Sequence, residues 1–346
     1  MPGTFTPELT FGPYQSGMWQ ETGGLSYRTM LLNSVALSLD FITSTVLDSR
    51  VVATGGANGT VTNSSGVLVT ASAPRYDYSP TAIGTIRGLL VEEARTNLFL
   101  NSNLAGTNLA TQNVAVTAQA YTISFYGTGS ITLTGAAAAV VNGSGAYPTR
   151  VTSTFTPAAG TLTCTVAGTV QYAQIEVGGF ASSFIPTAGA TVTRTSDSLS
   201  MTGVDFTSWY NAVAGTFLVE FIPGLAATGT FRTLGNVNSA TAAGVFINTV
   251  GSYRTGLAGA ADAGTGNAVN YGVVNKSASA FEASTQAISC LNGGTVATGT
   301  YDWSSATNGL YLGLRGAGTA GLFGWLRTVA FYGSRLPDSQ LQSLTT

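Results

Sequence analysis

The chain has no histidine among its 346 residues, so the commonest general base near neutral pH, and the commonest metal ligand, is missing. Every Ser–His or Cys–His nucleophile arrangement is excluded with it. Hydrolytic chemistry would have to rest on carboxylates, and the chain has 15 Asp and Glu. Glu92 and Glu93 stand side by side, which raises the acid and base pair of a glycosidase. Successive residues of a strand point to opposite faces, so these two do not flank one bond, whereas Glu93 and Arg95 share a face and can pair. Gly-Xaa-Gly pairs such as Gly264-Thr265-Gly266 abound, but none follows a strand and opens a helix with a phosphate-binding spacing. The reading is a protein that is not an enzyme and carries no cofactor.

Binding is the other chemistry within reach. A sugar is held by an aromatic face flanked by amide or carboxylate groups. Two loop-like places offer this: Trp209-Tyr210-Asn211, and Tyr301-Asp302-Trp303 followed by Asn308. The candidate glycan contacts are therefore Trp209, Tyr210, Tyr301, Asp302, Trp303 and Asn308. Tyr and Trp are also enriched in protein interfaces, so core edge and subunit contact stay open as alternatives.

Composition bounds the elements that must carry such residues. Only 8% of residues are charged, against roughly a quarter in an ordinary soluble domain, while Gly reaches 44. With abundant Thr, Ser, Ala and Asn, this suits short strands and many tight turns rather than long helices. The net charge is −2, from 13 basic and 15 acidic residues, and no basic stripe argues for nucleic acid. No apolar run approaches the roughly 20 residues that span a bilayer, and Met1-Pro2-Gly3-Thr4 opens neither a basic n-region nor an apolar h-region. No membrane insertion is expected, and the chain reads as made in the cytosol and unprocessed. Cys164 and Cys290 each sit in an apolar strand-like run and read as buried and reduced.

Along the chain, residues 1–34 show neither helical nor strand period yet carry aromatics, Phe11, Tyr14 and Trp19 among them. They read as an extended attachment arm that orders on a partner, with an ordinary frayed terminus as the alternative. Residues 35–97 read as a β-hairpin linker region, where Asn58-Gly59 is a strong hairpin signal and Val67-Leu68-Val69 the return strand. Residues 98–190 hold at least four strand candidates with regular turns, the pattern of a small β-sandwich; residues 136–141 fit either a helical turn or a strand edge.

Residues 196–346 hold about eight strands and read as a two-sheet jelly roll ending in a short helix. In its closing strand, residues 325–332, alternation places Trp325, Arg327, Val329 and Phe331 on one side and Leu326, Thr328, Ala330 and Tyr332 on the other. Both sides are largely apolar, as in a central strand, and Trp325 reads as core. Pro337 then fits the first helical position, Asp338 favours the helix dipole, and Leu341 and Leu344 share a face. The fold class is all-β.

At these residues the chain resembles a known family. Gly88-Leu89-Leu90-Val91-Glu92-Glu93-Ala94-Arg95-Thr96-Asn97-Leu98 is the first motif. The second is Tyr172-Ala173-Gln174-Ile175-Glu176 with Phe180-Ala181-Ser182-Ser183-Phe184-Ile185-Pro186-Thr187. They resemble the joints of tailed-bacteriophage virion proteins with concanavalin-A-like (laminin-G-like) lectin or glucanase-fold domains. Residues 281–298, with Cys290-Leu291-Asn292-Gly293-Gly294, and residues 324–344 look like the last strands and closing helix of that fold. The likeness covers roughly residues 35–346.

What the resemblance implies is a structural component of a tailed-phage particle: a tail fibre, baseplate appendage or head decoration. It would reside in the virion and be assembled in the host cytoplasm; the N-terminal arm with Phe11, Tyr14 and Trp19, read from its lack of period and outside the likeness, would be its anchor. Its partners would be other virion proteins and copies of itself, a trimer by analogy with fibres. The alternatives are a receptor module binding a host surface glycan and a polysaccharide-degrading tailspike. Calcium-dependent relatives of the fold cluster Asp and Asn ligands; Asp262, Asn267 and Asn270 lack a recognisable ligand spacing, so no metal is expected.

Overall fold

Short β-branched and aromatic runs cut by glycine and asparagine give strands of 3 to 10 residues, and every ladder is antiparallel. The computed structural model describes residues 35–102, 109–224, 232–238, 243–248, 251–257, 262–282, 286–300, 308–314 and 321–346. The expected arm with Phe11, Tyr14 and Trp19 lies outside the described residues, as do Tyr301, Asp302 and Trp303.

In chain order the first strands are β1 (Leu37–Asp40), β2 (Val52–Thr54), β3 (Gly59–Thr62), β4 (Leu68–Ala71), β5 (Arg75–Tyr78), β6 (Ile86–Val91) and β7 (Arg95–Asn97). There follow β8 (Gln112–Val116), β9 (Tyr121–Tyr126), β10 (Ser130–Gly135), β11 (Ala139–Asn142), β12 (Val151–Phe155), β13 (Gly160–Ala167) and β14 (Gln171–Val177). Then come β15 (Val192–Arg194), β16 (Ser198–Thr202), α1 (Val204–Thr207), β17 (Ala214–Pro223), β18 (Arg232–Asn236), β19 (Ala243–Ile247) and β20 (Ser252–Leu257). The chain closes with β21 (Asp262–Ala268), β22 (Asn275–Glu282), β23 (Gln286–Leu291), β24 (Ala297–Gly299), β25 (Gly309–Leu312), β26 (Gly324–Tyr332) and α2 (Asp338–Thr345).

Two sheets face each other as a jelly roll. One runs β24-β23-β22-β17-β26-β6-β5, with β1 also on β26; the other runs β2-β16-β25-β18-β19-β20-β21. Between them lie Phe217, Val219 and Phe221 of β17, Leu326, Val329 and Phe331 of β26, and Leu89 and Val91 of β6. Met201, Leu234, Val245, Ile247, Leu310 and Leu312 answer from the second sheet. Each such side chain contributes roughly 1.5–3 kcal/mol by leaving water. Residues 35–97 are thus more than a hairpin linker: β3 and β4 form a hairpin, but β1, β2, β5 and β6 are strands of the jelly roll.

The second core belongs to a small sandwich of β11-β10-β13-β8 against β12-β9-β14, filled by Ile123, Phe125, Ile131, Leu133, Leu162, Cys164 and Ile175. The undecided stretch at 136–141 contributes to the edge strand β11. The sandwich is spliced into the jelly roll where β7 pairs β15, in the register Asn97↔Val192, Thr96↔Thr193 and Arg95↔Arg194. Both cysteines are buried free thiols, and burial pushes Cys164 up to about 12.

One irregularity decides where Trp325 points. The β17–β26 ladder runs from Thr216↔Tyr332 to Glu220↔Thr328 and then skips to Phe221↔Leu326, leaving Arg327 as an extra residue. An inserted residue inverts the alternation beyond it. Leu326 therefore joins Val329 and Phe331 in the core, and half-buried Trp325 turns to the opposite face of the sheet. This corrects the reading of Trp325 as core. The bulge is held by Arg327, whose Nε donates to Glu220 Oε1 at 2.7 Å and whose Nη1 donates to the Arg87 carbonyl at 3.0 Å. Gly88 permits the close approach: its φ is +140°, and a Cβ there would lie 2.4 Å from the Leu326 carbonyl oxygen. The closing helix forms as expected, except that Pro337 is its N-cap rather than its first residue.

Candidate functional site

Trp325 lines a cleft of about 320 Å³ between the outer face of the first large sheet, the β3–β4 hairpin and the small sandwich. That volume lies within the range of small-ligand sites. From the jelly roll come Asp77 of β5, Arg87 and Leu90 of β6, Phe323, and Trp325 of β26; from the inserted segment come Tyr126, Tyr147, Arg150 and Phe180. The Trp325 indole N–H donates to Asp77 Oδ2 at 2.8 Å, and the Thr62 amide donates to Asp77 Oδ1 at 2.7 Å. The Arg87 guanidinium lies over the Trp325 ring, 3.6 Å from its centroid, with Nη1 3.8 Å from Asp77 Oδ2. Burial raises the Asp77 pKa and lowers that of Arg87, each partly offset by the other's charge.

The opposite wall is aromatic. The Tyr126 and Tyr147 rings sit 5.3 Å apart, Tyr147 shares a 2.8 Å hydrogen bond with Thr62 Oγ1, and Phe180 meets Phe323 edge-on at 4.6 Å. Arg150 is braced by donating from Nη1 to the Ser182 carbonyl at 2.6 Å and from Nη2 to Ser124 Oγ at 2.7 Å.

Behind the cleft, a buried ion cluster ties the two bodies together. Arg75 donates to Asp197 Oδ1 at 2.9 Å and to Glu92 Oε2 at 2.8 Å, and Arg194 Nη1 lies 3.3 Å from the same Glu92 oxygen. Ser183, beyond the sandwich, donates its amide to Glu92 Oε1 at 2.8 Å and its hydroxyl to Oε2 at 2.6 Å. Burial alone would raise the Glu92 pKa, but the charges of Arg194 and Arg75 and the Ser183 hydrogen bonds together bring it down to about 2. Glu92 and Glu93 do diverge as alternation requires, but the pairing differs from expectation. Glu93 Oε1 accepts the Gly321 amide at 2.7 Å, while Arg95 donates to the Val177 carbonyl and lies over the Phe180 and Phe323 rings.

The sequence candidates fall elsewhere. Trp209 is only 7% exposed, packs edge-on against Phe206 and Phe331 at 5.2 Å each, and donates its indole N–H to Met201 Sδ at 2.9 Å. Tyr210 stacks on Phe206 at 4.6 Å and tilts against Phe331 at 5.4 Å. The Trp209 ring is spent on closing the jelly-roll core, which corrects its assignment as a glycan contact; Tyr210, half-buried, packs against the same core. Asn308 is exposed at the start of β25, with its amide on the Val237 carbonyl. Neither Trp209 nor Asn308 lines the cleft. Among the described residues, no group of three or more His, Cys, Asp or Glu is placed to hold a metal ion.

No family model matches this chain, and no curated protein does. Among solved structures, the carbohydrate-binding module CBM40 of Ruminococcus gnavus IT-sialidase, bound to α2,6-sialyllactose, matches at 18% identity and a TM-score of 0.32, over 39% of this chain and 85% of that one. A putative carbohydrate-binding protein from Bacteroides ovatus matches at 10% identity and a TM-score of 0.31, over 72% and 84%. Trypanosoma rangeli sialidase matches at 14% identity and a TM-score of 0.33, over 42% of this chain but only 25% of that enzyme. At these TM-scores none of the likenesses bears on ligand or site.

The cleft residues escaped sequence reasoning because they come from separate segments: Asp77 and Trp325 stand 248 positions apart. One signal was present. The stretch Arg75–Tyr78, with Tyr76 and Tyr78 alternating with charged residues in a chain nearly free of charge, marks a strand with polar work on one face.

Proposed function

We propose that this protein is a lectin-like binding module that takes a carbohydrate in the cleft between its jelly roll and its inserted sandwich. The observation that carries this reading is the half-buried Trp325, fixed by Asp77 and Arg87 and faced across the cleft by Tyr126, Tyr147 and Phe180. Rigid aromatic surface among a few oriented polar groups is the chemistry that holds a sugar. Binding without turnover is part of the reading, since Glu92 is fully engaged by Arg75, Arg194 and Ser183. A glycan array probed with the full chain tests it. Binding to at least one glycan, lost in Trp325→Ala, is expected; a blank array for a folded protein overturns it.

The setting we propose is the surface of a tailed-phage particle, with other virion proteins and further copies of the chain as neighbours. Support for it comes from the resemblance carried by the sequence motifs 88–98 and 172–187 and by residues 281–298 and 324–344. Immunogold labelling of particles with an antibody to this chain tests it, and unlabelled particles would remove it.

A further inference from the structure

The charged groups of the cleft are unequally engaged. Both Asp77 oxygens are engaged, Oδ1 by the Thr62 amide and Oδ2 by the Trp325 indole, and the residue is 6% exposed. Glu92, the other carboxylate of the lining, accepts from Ser183 and Arg75 on its two oxygens. Each oxygen of the two lining carboxylates already has a partner, while the guanidiniums keep N–H groups to spare. A guanidinium carries five N–H donors. Arg87 lies over the Trp325 ring with one nitrogen at 3.8 Å from Asp77, and Arg150 places one N–H on Ser182 and one on Ser124. Arg87 is also desolvated enough to lower its pKa in spite of Asp77 beside it, so an incoming anion meets a cation that is incompletely compensated.

We infer that the carbohydrate taken by this cleft is acidic: a sugar bearing a carboxylate, which the Arg87 guanidinium grips while the ring lies against the aromatic wall. The inference rests on the glycan-binding reading and adds the charge of the ligand. A guanidinium matches a carboxylate by two parallel N–H···O bonds. A neutral sugar offers a guanidinium only uncharged hydroxyl acceptors, which make weaker hydrogen bonds than a carboxylate does.

The test is an array on which each uronate-containing oligosaccharide stands beside its carboxyl-reduced counterpart, probed with the full chain at low and high salt. The acid forms should bind at least about tenfold more tightly, the worth of one charge-assisted hydrogen bond, and added salt should narrow the difference. In Arg87→Met, which keeps an apolar stem on the Trp325 ring, acid and reduced forms should bind alike. Should that variant fail to fold, the wild-type comparison still decides. Equal binding of acid and reduced forms by the wild type overturns this inference and leaves the glycan reading standing; no binding to any sugar overturns both.

Discussion

The indole N–H of Trp325 donates to the Asp77 carboxylate at 2.8 Å across 248 residues of chain. That bond ties the central strand β26 to the edge strand β5 of the same sheet and sets the ring angle at the cleft mouth. Replacing Asp77 by Ala leaves the indole and the Thr62 amide without their acceptor. We expect a loss of about 1–3 kcal/mol of stability together with weaker glycan binding, read by denaturant unfolding and by titration. Unchanged affinity would show that the ring needs no fixing.

The two tryptophans with opposite fates give a paired prediction. Trp209→Ala should cost about 3–5 kcal/mol of stability, because the ring fills the core beside Phe206 and Phe331. Trp325→Ala should cost about half as much and abolish binding. Thermal melts set beside binding isotherms separate them, and the reverse pattern would refute the placement of both rings.

Acid should loosen the joint between the two bodies. The Glu92 pKa falls from an ordinary 4.5 to about 2 in the folded protein. A carboxyl depressed in this way stabilises the fold fully above its unfolded pKa, and the contribution is lost as pH falls through the folded one. Here the window runs from 4.5 down to about 2, and the loss is on the order of 3 kcal/mol. Asp197, raised by burial, works in the opposite sense. Glu92→Gln should be less stable at neutral pH and show a flatter acid limb than the wild type in urea melts across this range. Parallel limbs would contradict the assignment.

The bulge at Arg327 depends on a neighbour with no side chain. Gly88→Ala must place a Cβ against the Leu326 carbonyl at a φ that L residues rarely adopt, at a cost of more than about 2 kcal/mol. A melting temperature equal to the wild type's would mean that β6 shifts freely along β26.

Much of the fold was legible because it repeats locally. Alternation in Phe217, Val219 and Phe221, the turn at Asn292-Gly293, and the Pro337-Asp338 helix start each report their element from adjacent residues. The faces of β26 were legible only to the bulge. Val329 and Phe331 stand where alternation puts them, but Arg327 adds a residue that the pattern does not announce, so every position before it changes sides. That single parity error put Trp325 in the core, whereas Trp209 was misplaced for its own reason: a loop-like Trp-Tyr-Asn stretch does not announce that its ring folds back onto Phe206 and Phe331. The buried cluster of Arg75, Glu92, Arg194 and Asp197 was out of reach for another reason: its members lie up to 122 positions apart, and only the small number of charges in the chain hinted that each was placed with purpose.

The short ladder between β7 and β15 fastens both ends of the inserted sandwich at one place on the jelly roll. The insert is thereby a cassette. Exchanging residues 98–190 for another domain of similar span would replace Tyr126, Tyr147, Arg150 and Phe180 in one step, while Asp77, Arg87 and Trp325 kept their positions. Half of the cleft wall is fixed by the scaffold and half travels with the cassette, so a lineage could change the chemistry of the cleft without redesigning the fold that frames it.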